Sequence, residues 1–390
     1  MIALKLAYRN LVGAGIRTWL NVFVLSIAYV LIIYFNGLMS GWNREARRDT
    51  INWEIANGQY WQKDYDPYDP FSFNDSHSAI PSVFNSKIDE GKIVPILISE
   101  ATIYPEGRIQ SIVLKGISTN QKILKLPTYE LNVEIAEIPG IIGKRFSKNT
   151  NLKKDDLVTV RWRDANGTFD AAEIRIISVF NCNVPTVDNG QIWIPLDDLQ
   201  KMKQMPDEAT ILVNGDELKV NSEIVGWVYK DIEFLVMDIT KIIKTKRIGS
   251  SFFYIIILAL AMLAIFDTQV LSIFKRQKEI GTYVAMGMTR KQVVTLFTVE
   301  GAFHAVLAAI VGAIYGIPIL AYVAKIGFKI PEGSDDMGLA MADVIYPFFS
   351  LMLIVSTIIL VFLITTIVSY LPARKISKME PTDAIKGKIQ

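Results

Sequence analysis

The sequence predicts a membrane α-helical protein with four transmembrane helices and a large α+β extracytoplasmic domain inserted between the first and second. Three observations predict it. Apolar residues gather into four blocks, each long enough to cross a bilayer. The stretch between the first two blocks carries strand and turn patterns instead. Lys and Arg are unevenly shared among the short connecting segments.

Hydrophobic residues make up 51% of the chain, close to the about 45–50% of soluble proteins, so their clustering carries the argument. A bilayer core about 30 Å thick needs about 20 apolar residues in a helix. Thr18–Leu38 supplies one block without a charged residue. The second centres on Phe252–Phe266 and extends to Phe274, the third spans Val293 to Val323, and the fourth Val344 to Leu371. The first block exceeds the about 7–15 residues of a signal-peptide core and no small-x-small site follows it, so it reads as an uncleaved anchor.

The domains expected are a cytoplasmic amphipathic helix over 1–17, a first transmembrane helix over 18–44, the inserted domain over 45–245, and a membrane domain with three further transmembrane helices over 246–390. Lys5, Arg9 and Arg17 recur at multiples of four, as in a helix lying on the membrane surface.

Orientation follows from the basic residues of short loops. Lys5, Arg9 and Arg17 precede the first span, Lys275, Arg276, Lys278, Arg290 and Lys291 separate the second from the third, and Arg374, Lys375, Lys378, Lys386 and Lys388 close the chain. Only Lys325 and Lys329 lie early in the link between the third and fourth. Both termini are therefore expected in the cytoplasm. Arg44, Arg47, Arg48, Lys241, Lys244, Lys246 and Arg247 oppose this, but they flank a domain of about 200 residues, and long domains translocate largely regardless of charge.

In the inserted domain, strands are expected at Ile93–Ile98, Ser111–Lys115, Leu157–Arg163, Glu173–Phe180, Gln191–Ile194 and Thr210–Val213. Asp164-Ala165-Asn166-Gly167 is a hairpin signal between two of them. Ser82–Glu90, Pro195–Gln204 and Leu218–Lys230 read as helices. The run from Gln59 to Asp75 holds Asp64, Asp66 and Asp69, but Tyr68 and Asp69 stand where a calcium loop needs an acid and a glycine, so it reads as a loop rich in proline and aromatics.

Net charge is +2, which gives no reason to expect nucleic acid. Cys182 stands alone, excluding an intrachain disulfide. There is no P-loop, H-E-x-x-H or G-x-S-x-G, and the two histidines, His77 and His304, are far apart in sequence. A non-catalytic protein is expected, with no metal and no cofactor of its own. Such a membrane protein must transport, transmit or tether.

Residues 275–291 are charged at both ends and apolar between, with Ile280, Tyr283, Val284 and Met288 on one helical stripe. Ala308, Gly312 and Gly316 form a small-residue stripe in the third span, suited to close packing against the fourth span or to pairing two chains. Asp267, Glu300 and His304 are ionisable groups inside the spans, at comparable depths, and are expected to form or border a polar cluster. Thr365, Thr366 and Ser369 are its neutral neighbours in the fourth span.

The segment from Phe274 to Gly301 resembles the signature of the MacB/FtsX-type permeases of ABC transporters, R-x-x-E-I-G followed by A-x-G. Here these are Arg276, Glu279, Ile280, Gly281, Ala285 and Gly287. The C-terminal Pro372, Ala373, Arg374, Pro381, Ala384 and Ile385 resemble the family's P-A-R…P…A-I ending. The run from Gly140 to Phe180, with Asp188, Gly190, Gly37-Leu38-Met39 and Gly58-Gln59, is similar to the lipoprotein-releasing LolC/LolE branch. The resemblance implies a multi-pass protein of the bacterial inner membrane with a periplasmic domain. It implies a partner ABC ATPase dimer that binds ATP and Mg, and a second permease chain, identical or homologous. It also implies contact with membrane lipid and with a lipoprotein or periplasmic partner. The segment Lys275–Arg290 would carry the helix that docks on the ATPase, with Arg276, Glu279, Ile280, Gly281, Tyr283, Val284, Ala285, Gly287 and Met288 as coupling residues. Lipoprotein release, efflux as in the MacB branch and FtsX-like signalling to a cell-wall hydrolase are the competing roles; an FtsX-like outer domain is small, unlike this one.

Overall fold

The computed structural model describes residues 16–216, 224–329 and 344–376. The expected surface helix over 1–17 falls outside these but for its last two residues, and Pro381, Ala384 and Ile385 lie outside them entirely. The chain divides into two compact units, one of residues 43–242 with 329–344 and one of the remainder.

Four helices are long and apolar enough to cross a membrane. The first runs Ile16–Thr50 and closes on a turn of π-helix, Ile51–Ile55. The second is Met237–Lys275, the third Arg290–Ile326 and the fourth Leu351–Ile376. The fourth begins seven residues later than the apolar pattern predicts. Val344–Ile345 is a short strand, and Pro347 then disfavours helix at the residue before it. This irregular stretch hugs the first helix, with Phe348 N donating to the Gly37 carbonyl at 2.9 Å. A Cβ at Gly37 would strike the Phe349 ring and one at Gly41 the Tyr346 carbonyl, so glycine admits the approach.

The small stripe of the third helix packs against the first helix, not the fourth. The positions nearest a Cβ at Gly312 and Gly316 are Ser26 and Val30, and Ala308 shares a core with Val22, Leu25 and Ala28. Ser26 Oγ and Tyr315 Oη, 3.0 Å apart, complete the contact. Spacing alone shows that a helix can come close; it does not say which one.

The inserted unit is built on a mixed nine-stranded sheet. In strand order across the sheet these are Trp227–Lys230, Gln59–Gln62, Ile211–Asn214, Ile93–Ile103, Gln110–Ile117, Gln191–Pro195, Ile138–Gly143, Phe169–Phe180 and Leu157–Arg163. Ala101–Ile103 also pairs with Val160–Trp162, curling the sheet back towards its start. Alternation explains the strands: in Leu157–Arg163, Val158, Val160 and Trp162 are buried while the residues between them are exposed. Ile96 and Ile98 enter one core and Leu97, Ala101 and Ile103 the other, so both faces are covered.

Three elements differ from expectation. Trp227–Lys230 is a strand, not the end of a helix. Gly226 has φ of +82°, which breaks a helix, and the β-prone W-V-Y run pairs with Gln59–Gln62. Gln59–Gln62 is thus a paired strand, not loop. Ile138–Gly143 is a further strand, parallel to Phe169–Phe180. The hairpin at 164–168 takes a five-residue form in which Asp164 Oδ1 accepts from the Asn166 and Thr168 amides at 2.9 and 2.7 Å.

Candidate functional site

Between the second and third membrane helices lies a short helix, Gln277–Ala285. Its C-terminus is a Schellman turn: Met288 N donates to the Tyr283 carbonyl and Gly287 N to the Val284 carbonyl, both at 3.0 Å. Gly287 sits at φ of +98°, which glycine adopts without strain. Thr289 then caps the third helix, with Gln292 completing a capping box. Met288 therefore lies beyond the helix that the apolar stripe suggests.

The stripe faces inward. Ile280 is buried against Ile273, Val293, Phe297 and Ala373, with Val284 and Met288 packed around them. Gly281 is buried and Tyr283 half-buried. Ala373 belongs to the C-terminal P-A-R segment, so the two motifs that carry the family resemblance meet in one core. Lys278, Glu279, Thr282, Ala285, Met286 and Gly287 are exposed. Met286, which the motif does not mark, is 71% exposed.

Arg276 turns inward as well. Its Nη1 donates to Glu300 Oε2 and Oε1 at 3.1 and 3.4 Å, its Nε donates to Glu279 Oε2 at 3.0 Å, and its guanidinium lies 5.2 Å from the Phe297 ring centre. The Glu300 side chain is only 5% exposed. Burial works against the Arg276 charge, but its hydrogen bond to Glu279 and the charges of Glu300 and Glu279 outweigh it, holding its pKa above the ordinary value. One cation thus ties the end of the second helix, the short helix and the third helix together.

The intramembrane cluster differs from its sequence outline. Glu300 and His304 are buried, and His304 Nδ1 donates to the Glu300 carbonyl at 3.1 Å. Asp267 is exposed and lies on another face of its helix. Gln269 points inward in its place, 1% exposed. A Cβ at Gly301 would overlap Ser369 and lie 3.3 Å from Gln269 Nε2, so these three positions touch. Thr365 and Ser369 are fully buried. Gln269 Oε1, His304 Nε2 and Ser369 Oγ make no hydrogen bond among the described residues. Gln269 carries no charge and so gave no sequence signal beyond being polar in an apolar run.

A four-span membrane protein with an inserted α/β unit, and a short helix clamped between its second and third spans, is the class defined so far. Residues 251–381 match the FtsX-like permease C-terminal family. The chain is 27% identical over 189 residues to an uncharacterised ABC transporter permease of Methanocaldococcus jannaschii, covering 46% of this chain and 45% of that one. It is 34% identical over 119 residues to the macrolide export ATP-binding/permease protein MacB of Campylobacter fetus, covering 30% and 16%. It is 22% identical over 324 residues to the lipoprotein-releasing system transmembrane protein LolC of Xylella fastidiosa, covering 75% and 76%. The matches thus span less than half the length of the first two of these relatives. Residues 251–381 thus form an FtsX-like permease C-terminal domain, and the chain as a whole is similar to ABC transporter permeases of the MacB/FtsX/LolC type.

Proposed function

We propose that this chain is the non-catalytic permease subunit of an inner-membrane ABC transporter, carrying motion from a separate ATPase dimer to its periplasmic unit. ATP and Mg belong to that ATPase. The observation that carries the reading is the Arg276 clamp. A force applied to the short helix at Gln277–Ala285 reaches the second and third spans through one buried cation instead of being lost in a flexible loop. Lys278, Glu279, Thr282 and Met286 form the face offered to the ATPase.

The cargo is a lipoprotein or another amphiphile released from the outer leaflet. The long alignment with LolC, over three quarters of both chains, supports this. Efflux of small molecules is the second reading, supported by the higher local identity to MacB. Proteoliposomes holding the chain, its ATPase and an acylated lipoprotein separate the two. ATP-dependent appearance of the lipoprotein in the soluble fraction is expected. Transport of a macrolide with no lipoprotein release would establish efflux instead.

Orientation has its own test. Cysteine at exposed Lys154, in a Cys182→Ser background, is expected to react with an impermeant thiol reagent in intact spheroplasts. Cysteine at exposed Lys278 is expected to react only after lysis. The reverse pattern would overturn the assignment of the inserted unit to the periplasm.

A further inference from the structure

Lys115 is the unexplained group of the inserted unit. It lies in the strand Gln110–Ile117 and is only 8% exposed. A lysine is almost never buried without a partner. This one makes no hydrogen bond or ion pair among the described residues, and its ammonium rests 4.9 Å from the Trp193 ring centre. Burial pushes its pKa below the ordinary lysine value, and the charge of Glu54 opposes that shift without forming an ion pair.

Its neighbours form a polar group on one face of the sheet. Side chains alternate along a strand, so Val113, Lys115, Gln191 and Trp193 share one face while Leu114 and Ile192 enter the opposite core. The strand pairing sets Lys115 beside Trp193 and Val113 beside Gln191. Gln191 Nε2 donates to the Thr186 carbonyl, and Thr186 Oγ1 donates to Glu54 Oε2 at 2.6 Å. Gln191 Oε1 is buried and makes no hydrogen bond among the described residues. Lys115 and Gln191 are the buried floor of this group, Glu54 and Val113 are half-buried, and Thr186 is exposed at its rim.

One donor and one acceptor are therefore left over beside a carboxylate. The Lys115 ammonium calls for an acceptor, best an anionic one, and Gln191 Oε1 calls for a donor. Glu54 leaves the site near neutral and would repel a ligand that brings only negative charge. We propose that Lys115, Glu54 and Gln191 bind a small zwitterion, its acid group on Lys115 and its ammonium on Glu54 and Gln191 Oε1. An ammonium and an acid group a few bonds apart occur in a free α-amino acid and in the phosphoethanolamine head of a phospholipid. Such recognition needs both charges of the ligand at once, which separates it from a plain anion site. The inference concerns the inserted unit alone and does not depend on the transport reading.

The test is calorimetric titration of the full chain in detergent with L-leucine and with phosphoethanolamine. Isocaproate and isoamylamine, which each keep one of leucine's two charges, are the controls. Saturable binding of at least one zwitterion is expected, with the singly charged compounds about tenfold weaker or worse. Preference for leucine would mark a dissolved amino acid as the ligand, and preference for phosphoethanolamine a lipid head. Lys115→Met and Glu54→Gln are each expected to weaken zwitterion binding about tenfold. Glu54→Gln can still accept from Thr186, so it reports on the charge. Lys115→Met is also expected to melt no lower than the parent, because it removes an unpaired buried charge and keeps an apolar chain of similar length. No saturable binding of either zwitterion at millimolar concentration would overturn the inference. So would equal binding of isocaproate or isoamylamine, or parental affinity in either variant. A Lys115→Met protein that melts well below the parent would show that the fold already supplies the partner of Lys115, and would overturn it too.

Discussion

Glu300→Ala is expected to destabilise the membrane unit by about 3 kcal/mol, and Arg276→Ala by a comparable amount. Glu300 is 5% and Arg276 17% exposed at the side chain, so each single change breaks a buried ion pair at 3.1 Å and leaves the other charge without that partner. Arg276 would retain only Glu279, which is 57% exposed and a weak anchor. Removing both costs less than the sum, because no orphaned charge is left. The double variant Arg276→Ala, Glu300→Ala is therefore expected to melt closer to the parent than the sum of the single changes. It is also expected to show uncoupled ATPase activity, since the short helix would no longer be bound to the third span. Thermal melting in detergent with a double-mutant cycle measures the first, and substrate-stimulated hydrolysis by the reconstituted complex the second. Additive single effects, or full coupling without the pair, would show that the clamp transmits nothing.

Much of this was legible in the residues and some was not. The spans were readable because about 20 apolar residues in a row have few alternatives. The Schellman turn was readable in principle from A-M-G-M. Yet the stripe Ile280, Tyr283, Val284, Met288 looked continuous because periodicity does not register the break at Gly287. Asp267 was grouped with Glu300 by depth, which a rise of 1.5 Å per residue gives well. Azimuth was the missing quantity. At about 100° per residue, the two steps from Asp267 to Gln269 turn the side chain from the exposed face to the core. Sequence reading favoured the charged residue, whereas burial selected the neutral amide. Trp227–Lys230 was lost for a different reason. Its partner strand, Gln59–Gln62, lies more than 160 residues earlier, and no local pattern announces so distant a pairing.

Gly301 of the third helix packs directly on Ser369 of the fourth, and Gly301→Leu is expected to abolish folded protein. A Cβ there would overlap Ser369 at both Oγ and Cβ, and would also crowd Gln269. The space is closed by Ser369, which is fully buried, so it cannot swing aside into solvent. Even Gly301→Ala must move the fourth helix, an overpacking of the kind that costs about 1–3 kcal/mol. Leucine adds three more carbons and separates the helices at the level where Gln269, His304 and Ser369 are buried. A compensating change tests the geometry. Gly301→Ala with Ser369→Gly returns the missing volume, at about 1 kcal/mol for a glycine inside a helix. That pair is expected to regain most of the monodisperse yield and melting temperature lost by Gly301→Ala alone. Ser369→Ala should rescue poorly, because it keeps the Cβ that collides. A Gly301→Leu protein that melts like the parent would mean that the two helices do not meet at this level, and the buried polar group would have to be redrawn.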